Sequence, residues 1–183
     1  QAPATYFVHA GKATVAEVAR TCGAGCGYLG QTGIELVPST MTRLLDEAGG
    51  DRYDQAVFYE LGRNFWFFDG PLGQIPSLAT GFAIANRFYA MEASGLVGAP
   101  WNGSVGFDTF RHSILVELLE RYLSDTKLTW QTTLVQNKAP ANPHGWNGND
   151  LAAAFYHKIR ADHGDAGYRR FWQLMKGAPN AGS

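Results

Sequence analysis

The chain has 183 residues, 45% of them hydrophobic and 17% charged, with a formal net charge of −1. That length and balance suit one compact domain, residues 1–183, and exclude a disordered chain. The near-neutral charge offers no basic surface for nucleic acid or an acidic membrane, and no apolar run is long enough to span a bilayer, so neither partner is expected.

In chain order, ATYFVHA (4–10) alternates like a strand. TVAEVART (14–21) reads as a short helix with Thr14 as its cap. TCGAGCGYLG holds the two cysteines, Cys22 and Cys26. Two thiols are too few for a structural zinc site, so a short disulfide is expected, with two free buried thiols as the alternative. TGIELV (32–37) is a second strand, and PSTMTRLLDEAG (38–49) is a helix that starts at Pro38 and stops at Gly49-Gly50.

Residues 53–68 form a strongly apolar helix, and the spacing of Phe58, Leu61, Phe65 and Phe68 predicts one buried face. A loop over 69–76 leads to a long helix over 77–95, a loop over 95–104 and an amphipathic helix over 107–123. The polar loop 137–149 precedes two closing helices, 149–164 and 165–177, and 177–183 is a tail or linker. The expected fold is α+β, helix-rich, with a small N-terminal β-sheet.

The chain opens QAPATYFVHAG, which reads as a mature N-terminus of a secreted or extracellular protein after signal removal. Asn102-Gly103-Ser104 is a glycosylation sequon, meaningful only in a secreting eukaryote.

The chemistry centres on VFYELGRNFWFF (57–68). In a zincin, H-E-x-x-H on a helix puts two His at i and i+4 on Zn²⁺, with the Glu as general base. Here the stretch reads Tyr59-Glu60-Leu61-Gly62-Arg63, and the next helix opens SLATGFAIANRF. This pattern resembles a gluzincin-like metallopeptidase domain, whose next helix carries the third ligand as a Glu at the place of Thr80. The resemblance touches residues 28 to 176, including the closing segment NDLAAAFYHKIRADHGDAGYRRFWQLM. It implies a zincin-like fold in which all three ligand positions have been replaced, by Tyr59, Arg63 and Thr80.

Arg cannot ligate Zn²⁺, but its permanent charge can stand beside Glu60 three residues earlier. A polar Tyr59–Glu60–Arg63 cluster is therefore expected, with no metal and no cofactor. The plainer reading is an ordinary E-x-x-R pair on an amphipathic helix.

Of the five His, none has ligand spacing; His112 is the one placed to hydrogen-bond Glu60 or a substrate. No G-x-S-x-G elbow and no phosphate-binding glycine loop occurs. Trp101 in APWNGS and Trp146 in NPHGWNGND lie in loops beside Asn and Gly, the composition of a sugar- or peptide-binding cleft. Each alternatively pins its loop to the core, and Trp66, Trp130 and Trp172 read as core packing. The expected function is a secreted, non-catalytic, peptidase-like module binding a glycan or peptide. The alternative is a zinc-independent hydrolase, peptidase or glycosidase, using Glu60 as general acid or base.

Overall fold

The computed structural model describes residues 15–31, 33–66, 68 and 75–177. The expected strand over 4–10 and the Thr14 cap lie outside them. The fold is α+β and helix-rich, with one three-stranded sheet near the N-terminus. The chain forms two compact units, Gln1–Trp66 with Asn86–Phe110 and Phe67–Ala85 with Arg111–Ser183.

In the first unit, β1 (Val15–Glu17), β2 (Gly25–Gly27) and β3 (Ile34–Leu36) form a sheet of order β1-β3-β2. β1 runs parallel to β3 and β2 antiparallel to it. The expected helix over 14–21 is thus corrected: Val15–Glu17 is a strand, and residues 18–21 are neither helix nor strand. Pairing with β3 in the register Val15↔Ile34 outweighs the weak helical period, and the burial of 15–17 alternates exposed, buried, exposed. Ile34 and Leu36 are fully buried.

Helix α1 (Pro38–Gly49) has Pro at its first turn, where the missing N–H is not needed. Helix α2 (Gln55–Asn64) is capped by Asp54, whose carboxylate accepts from the Ala56 N–H at 2.7 Å. It ends at Asn64, with Phe65 as its C-cap, short of the expected 68.

The burial of α2 reverses the sequence expectation. Phe65 is 65% exposed, and the buried positions are Glu60, Gly62 and Asn64. The reason is the partner: α2 packs on β2, an edge strand of glycine backbone. A Cβ at Gly27 would lie 1.9 Å from the Glu60 carbonyl oxygen, so only glycine admits this approach. Unpaired strand-edge groups require polar partners, and α2 supplies them.

Helix α3 (Pro76–Ala93) contributes residues 76–85 to the second unit and the rest to the first. The first unit closes with a loop bridged at Tyr53↔Gly98 and Trp101↔Val105, then most of α4 (Phe107–His112).

In the second unit, α4 runs through a π-helical turn, Ser113–Glu117, into α5 (Leu118–Ser124). A short 3₁₀ turn, Leu134–Gln136, leads to α6 (Gly148–Gly177). Gly164 interrupts α6 with φ 66° and ψ −179°, where the sequence placed the boundary between two helices. Trp172 sits among Phe68, Phe82, Tyr156, Tyr168 and Phe171, as a core aromatic should. Trp66 is 3% exposed, whereas Trp130 is 43% exposed and is not core. No helix is long and apolar enough to cross a membrane, among the described residues.

Candidate functional site

Glu60 is held inside the first unit. The Gly27 N–H donates to Glu60 Oε2 at 2.7 Å, and Arg63 Nε donates to the Gly27 carbonyl at 2.9 Å. One turn further along α2, Asn64 holds the connection between β2 and β3: Gly33 N–H donates to Asn64 Oδ1 at 3.1 Å and Asn64 Nδ2 donates to the Tyr28 carbonyl at 3.0 Å. Glu60 and Arg63 together close the open edge of β2 at Gly27 with side chains, and Asn64 fastens the connection that follows. Glu60 Oε2 and Arg63 Nε also lie 4.0 Å apart, so the expected Glu–Arg pair is present.

Tyr59 belongs to a different group. It makes no hydrogen bond to Glu60 among the described residues, and the Arg87 guanidinium lies 5.8 Å from its ring centre. Burial pushes the Glu60 carboxyl above its ordinary range, against the opposing effects of the Gly27 hydrogen bond and the Arg63 charge.

The other expected site residues are dispersed. Thr80, His112 and Trp146 belong to the second unit and Trp101 to the first. His112 is exposed and Thr80 is half-buried on α3. Trp146 donates from Nε1 to Ser113 Oγ at 3.1 Å and stacks on His144, so it ties its own loop to the helix below. Asn142 fastens the same loop by accepting from the Trp146 N–H at 2.8 Å.

Trp101 is the member that lines a pocket. The pocket encloses about 210 Å³ within the first unit, and Arg43, Glu47, Asp54, Gln55, Trp101 and Asn102 contribute to its wall. Glu60, Tyr59 and Arg63 do not line it. Three pieces of chain build it. Arg43 and Glu47 stand one turn apart on α1, at i and i+4. Asp54 and Gln55 are the cap and first residue of α2. Residues 99–103 arrive through the bridge at Tyr53, with Tyr53 N–H donating to the Val97 carbonyl at 3.0 Å and Ala99 N–H to the Tyr53 carbonyl at 2.9 Å.

Trp101 opens a tight hairpin whose central residues, Asn102 at φ 50° and Gly103 at φ 70°, take the left-handed region that Asn-Gly favours. Its ring stacks on Phe110, with centres 5.5 Å apart and planes 9° from parallel. The Arg87 guanidinium covers the Phe110 ring at 4.7 Å and donates from Nη1 to Gln55 Oε1 at 2.6 Å. One buried cation thus steadies both the Trp101 support and the Gln55 wall.

The polar wall is unevenly satisfied. Asp54 Oδ2 accepts from Arg43 Nε and Nη2, both at 2.6 Å, and Oδ1 accepts from Ala56 N–H. Glu47 Oε2 is buried without a hydrogen-bond partner. Desolvation, and then the Asp54 charge, hold the Glu47 carboxyl above its ordinary range, with Arg43 pulling the other way.

Sequence reasoning found Trp101 but missed the rest of this pocket. Asp54 before an apolar helix was the one available signal, as a cap. Among the described residues no group of three or more His, Cys, Asp or Glu is placed to hold a metal ion. Cys22 and Cys26 are joined as a disulfide, with Cα atoms 5.5 Å apart. No protein-family model, curated protein or solved structure matches the chain.

Proposed function

We propose that the chain is a secreted, non-catalytic binding module that takes a single sugar unit of a glycan in the Trp101 pocket. One observation carries this reading: an indole held rigid by Phe110 shares a small cavity with two carboxylates, a guanidinium and two amides. A sugar offers an apolar ring face to an aromatic and hydroxyls to planar polar groups, so that mixture suits it. Pockets for drug-sized ligands measure about 300–1,000 Å³, so a cavity of about 210 Å³ suits a single ring. The Cys22–Cys26 disulfide supports an oxidising, extracellular setting.

In the same reading α2 is a zincin-type helix whose metal ligands have been exchanged. Arg63 and Glu60 then serve the β2 edge instead of an ion. The deciding experiment is calorimetric titration of the chain with a panel of mono- and oligosaccharides, repeated with Trp101→Ala. Saturable binding that Trp101→Ala abolishes is expected. Binding that survives this change, or no binding by any sugar, overturns the pocket assignment.

A second reading keeps Glu60 as the acid or base of a zinc-independent hydrolase. The observation in its favour is the raised Glu60 carboxyl, since a carboxyl that burial holds above its ordinary range keeps its proton more readily. Glu60 is only 8% exposed and lines no part of the pocket, which favours the first reading. Hydrolysis of chromogenic glycosides or peptides by the wild type, lost in Glu60→Gln, would restore the second.

A further inference from the structure

Asn-Gly occurs twice in the chain, at Asn102-Gly103 and at Asn147-Gly148. It is a reactive pair. The glycine nitrogen can attack the asparagine side-chain carbonyl, because glycine has no Cβ to obstruct the approach. The fold puts the two copies in opposite situations.

Asn147-Gly148 is locked. Asn147 Oδ1 accepts from the Asn149 N–H at 2.9 Å, which caps the start of α6. The Asn147 N–H donates to Asp150 Oδ2 at 3.0 Å, and its carbonyl accepts from the Leu151 N–H at 3.1 Å. Gly148 is buried, and a Cβ there would lie 2.7 Å from Asn137 Cα. The Asn147 carboxamide therefore cannot turn onto the Gly148 nitrogen without uncapping the helix.

Asn102-Gly103 is open. Asn102, Gly103 and Ser104 are all exposed, at the tip of the hairpin closed by Trp101 and Val105. The Asn102 side chain has no hydrogen-bond partner among the described residues. A Cβ at Gly103 would meet nothing within 4 Å. The Gly103 N–H donates to the Pro100 carbonyl at 3.3 Å, longer than an ordinary amide bond to oxygen. Asn102 stands at φ 50°, a region that costs a residue with a side chain energy, and rotation out of it releases that energy.

We infer that Asn102 is a self-modifying site, which loses its side-chain amide through a cyclic imide formed with Gly103. The Gly103 nitrogen bonds to Asn102 Cγ, the Cγ–Nδ2 bond breaks, and ammonia leaves with the Gly103 amide proton. Water then opens the ring. Addition at Cγ gives aspartate. Addition at the backbone carbonyl carbon gives isoaspartate, with the chain running through the former side chain. Water is the only co-reactant. Either product places a new carboxylate on the wall of the Trp101 pocket, which Asn102 lines. Isoaspartate also adds one backbone atom to a two-residue turn, which strains the paired Trp101–Val105 bonds of 2.8 and 3.1 Å. The inference holds whatever the pocket binds.

The test uses the full chain, made in a bacterial host so that Asn102 carries no glycan. It is incubated folded in mildly alkaline buffer, with a parallel sample in urea, and both are followed by peptide mapping with mass spectrometry. In the folded chain Asn102 should convert at least about tenfold faster than Asn147, since loss of a cap alone gives close to that factor. In urea the two rates should converge. Isoaspartate should be among the products, and the Val105 amide should exchange faster in the isoaspartyl fraction. No conversion at Asn102, or equal rates in the folded chain, overturns the assignment. A difference that persists in urea overturns the role of the α6 cap. Aspartate without isoaspartate overturns the imide route, and unchanged exchange at Val105 overturns the effect on the hairpin.

Discussion

Gly27 and Glu60, 33 residues apart in sequence, meet twice: the Gly27 N–H donates to the Glu60 carboxylate at 2.7 Å, and the two backbones touch. An acidic side chain on a helix thereby satisfies a donor on the free edge of a strand. Glu60 is placed by this demand.

Gly27→Ala tests the close approach. The added Cβ would fall 1.9 Å from the Glu60 carbonyl oxygen and 2.7 Å from its carbonyl carbon, and backbone cannot rotate aside. The expected loss is about 3 kcal/mol, the upper end of overpacking. Urea unfolding of the variant measures it, and a wild-type midpoint would mean that β2 and α2 do not pack this closely.

Glu60→Gln tests the electrostatics. Burial raises the Glu60 carboxyl above its ordinary range, so the folded chain holds that proton more tightly than the unfolded chain does. Stability from this group is fully present below the unfolded carboxyl value and is lost as pH rises through the raised folded value. Gln keeps an acceptor for the Gly27 N–H and has no charge to desolvate. The variant should match the wild type in acid and exceed it at neutral pH. Unfolding midpoints at the two conditions check this, and a variant weaker at neutral pH would show that the Arg63 pairing outweighs desolvation.

Reduction of Cys22–Cys26 tests the strand itself. The bond closes a loop of four steps in sequence and ends at Cys26, the central residue of β2, which is 4% exposed. For so short a loop the chain-entropy account gives about 2 kcal/mol of stabilisation. The reduced protein should unfold at correspondingly lower urea, and the Gly27 amide should exchange with solvent faster. Unchanged exchange at Gly27 would mean that α2 alone holds the strand.

What the sequence made legible follows from which forces write local patterns. Pro38 at the start and Gly49-Gly50 at the end bracket α1, and both act through backbone geometry readable at a single residue. β2 left no such trace, since Gly25-Cys26-Gly27 has no strand propensity: it is a strand because it pairs with β3, and its ends are glycine because nothing larger fits against Glu60. The apolar spacing of α2 misled for a related reason: its buried face answers backbone donors, a need that hydrophobic period does not record. The pocket was legible at Trp101, flanked by Asn and Gly in a loop. Its other walls meet only because the chain returns at Gly98 to pair with Tyr53, a contact across 45 residues that no local pattern announces.

Gly81 carries the last prediction, because two effects oppose each other there. It lies inside α3, where Ala is favoured over Gly by about 1 kcal/mol. A Cβ at Gly81 would also come 2.5 Å from Ala152 Cβ and 2.9 Å from both the Ala153 nitrogen and the Asn149 carbonyl oxygen. Those atoms belong to the first turns of α6, and two of the three are backbone, so the helices must separate to admit it. Overpacking of this kind costs about 1–3 kcal/mol and wins over propensity, so Gly81→Ala should destabilise by about 1–2 kcal/mol. Gly49, the last residue of α1, has nothing within 4 Å of an added Cβ. Gly49→Ala should therefore stabilise, by about 0.4–1 kcal/mol. Urea denaturation of the pair reads opposite signs from the same chemical change. A stabilising shift at Gly81 as well would show that α3 and α6 are not in close contact there.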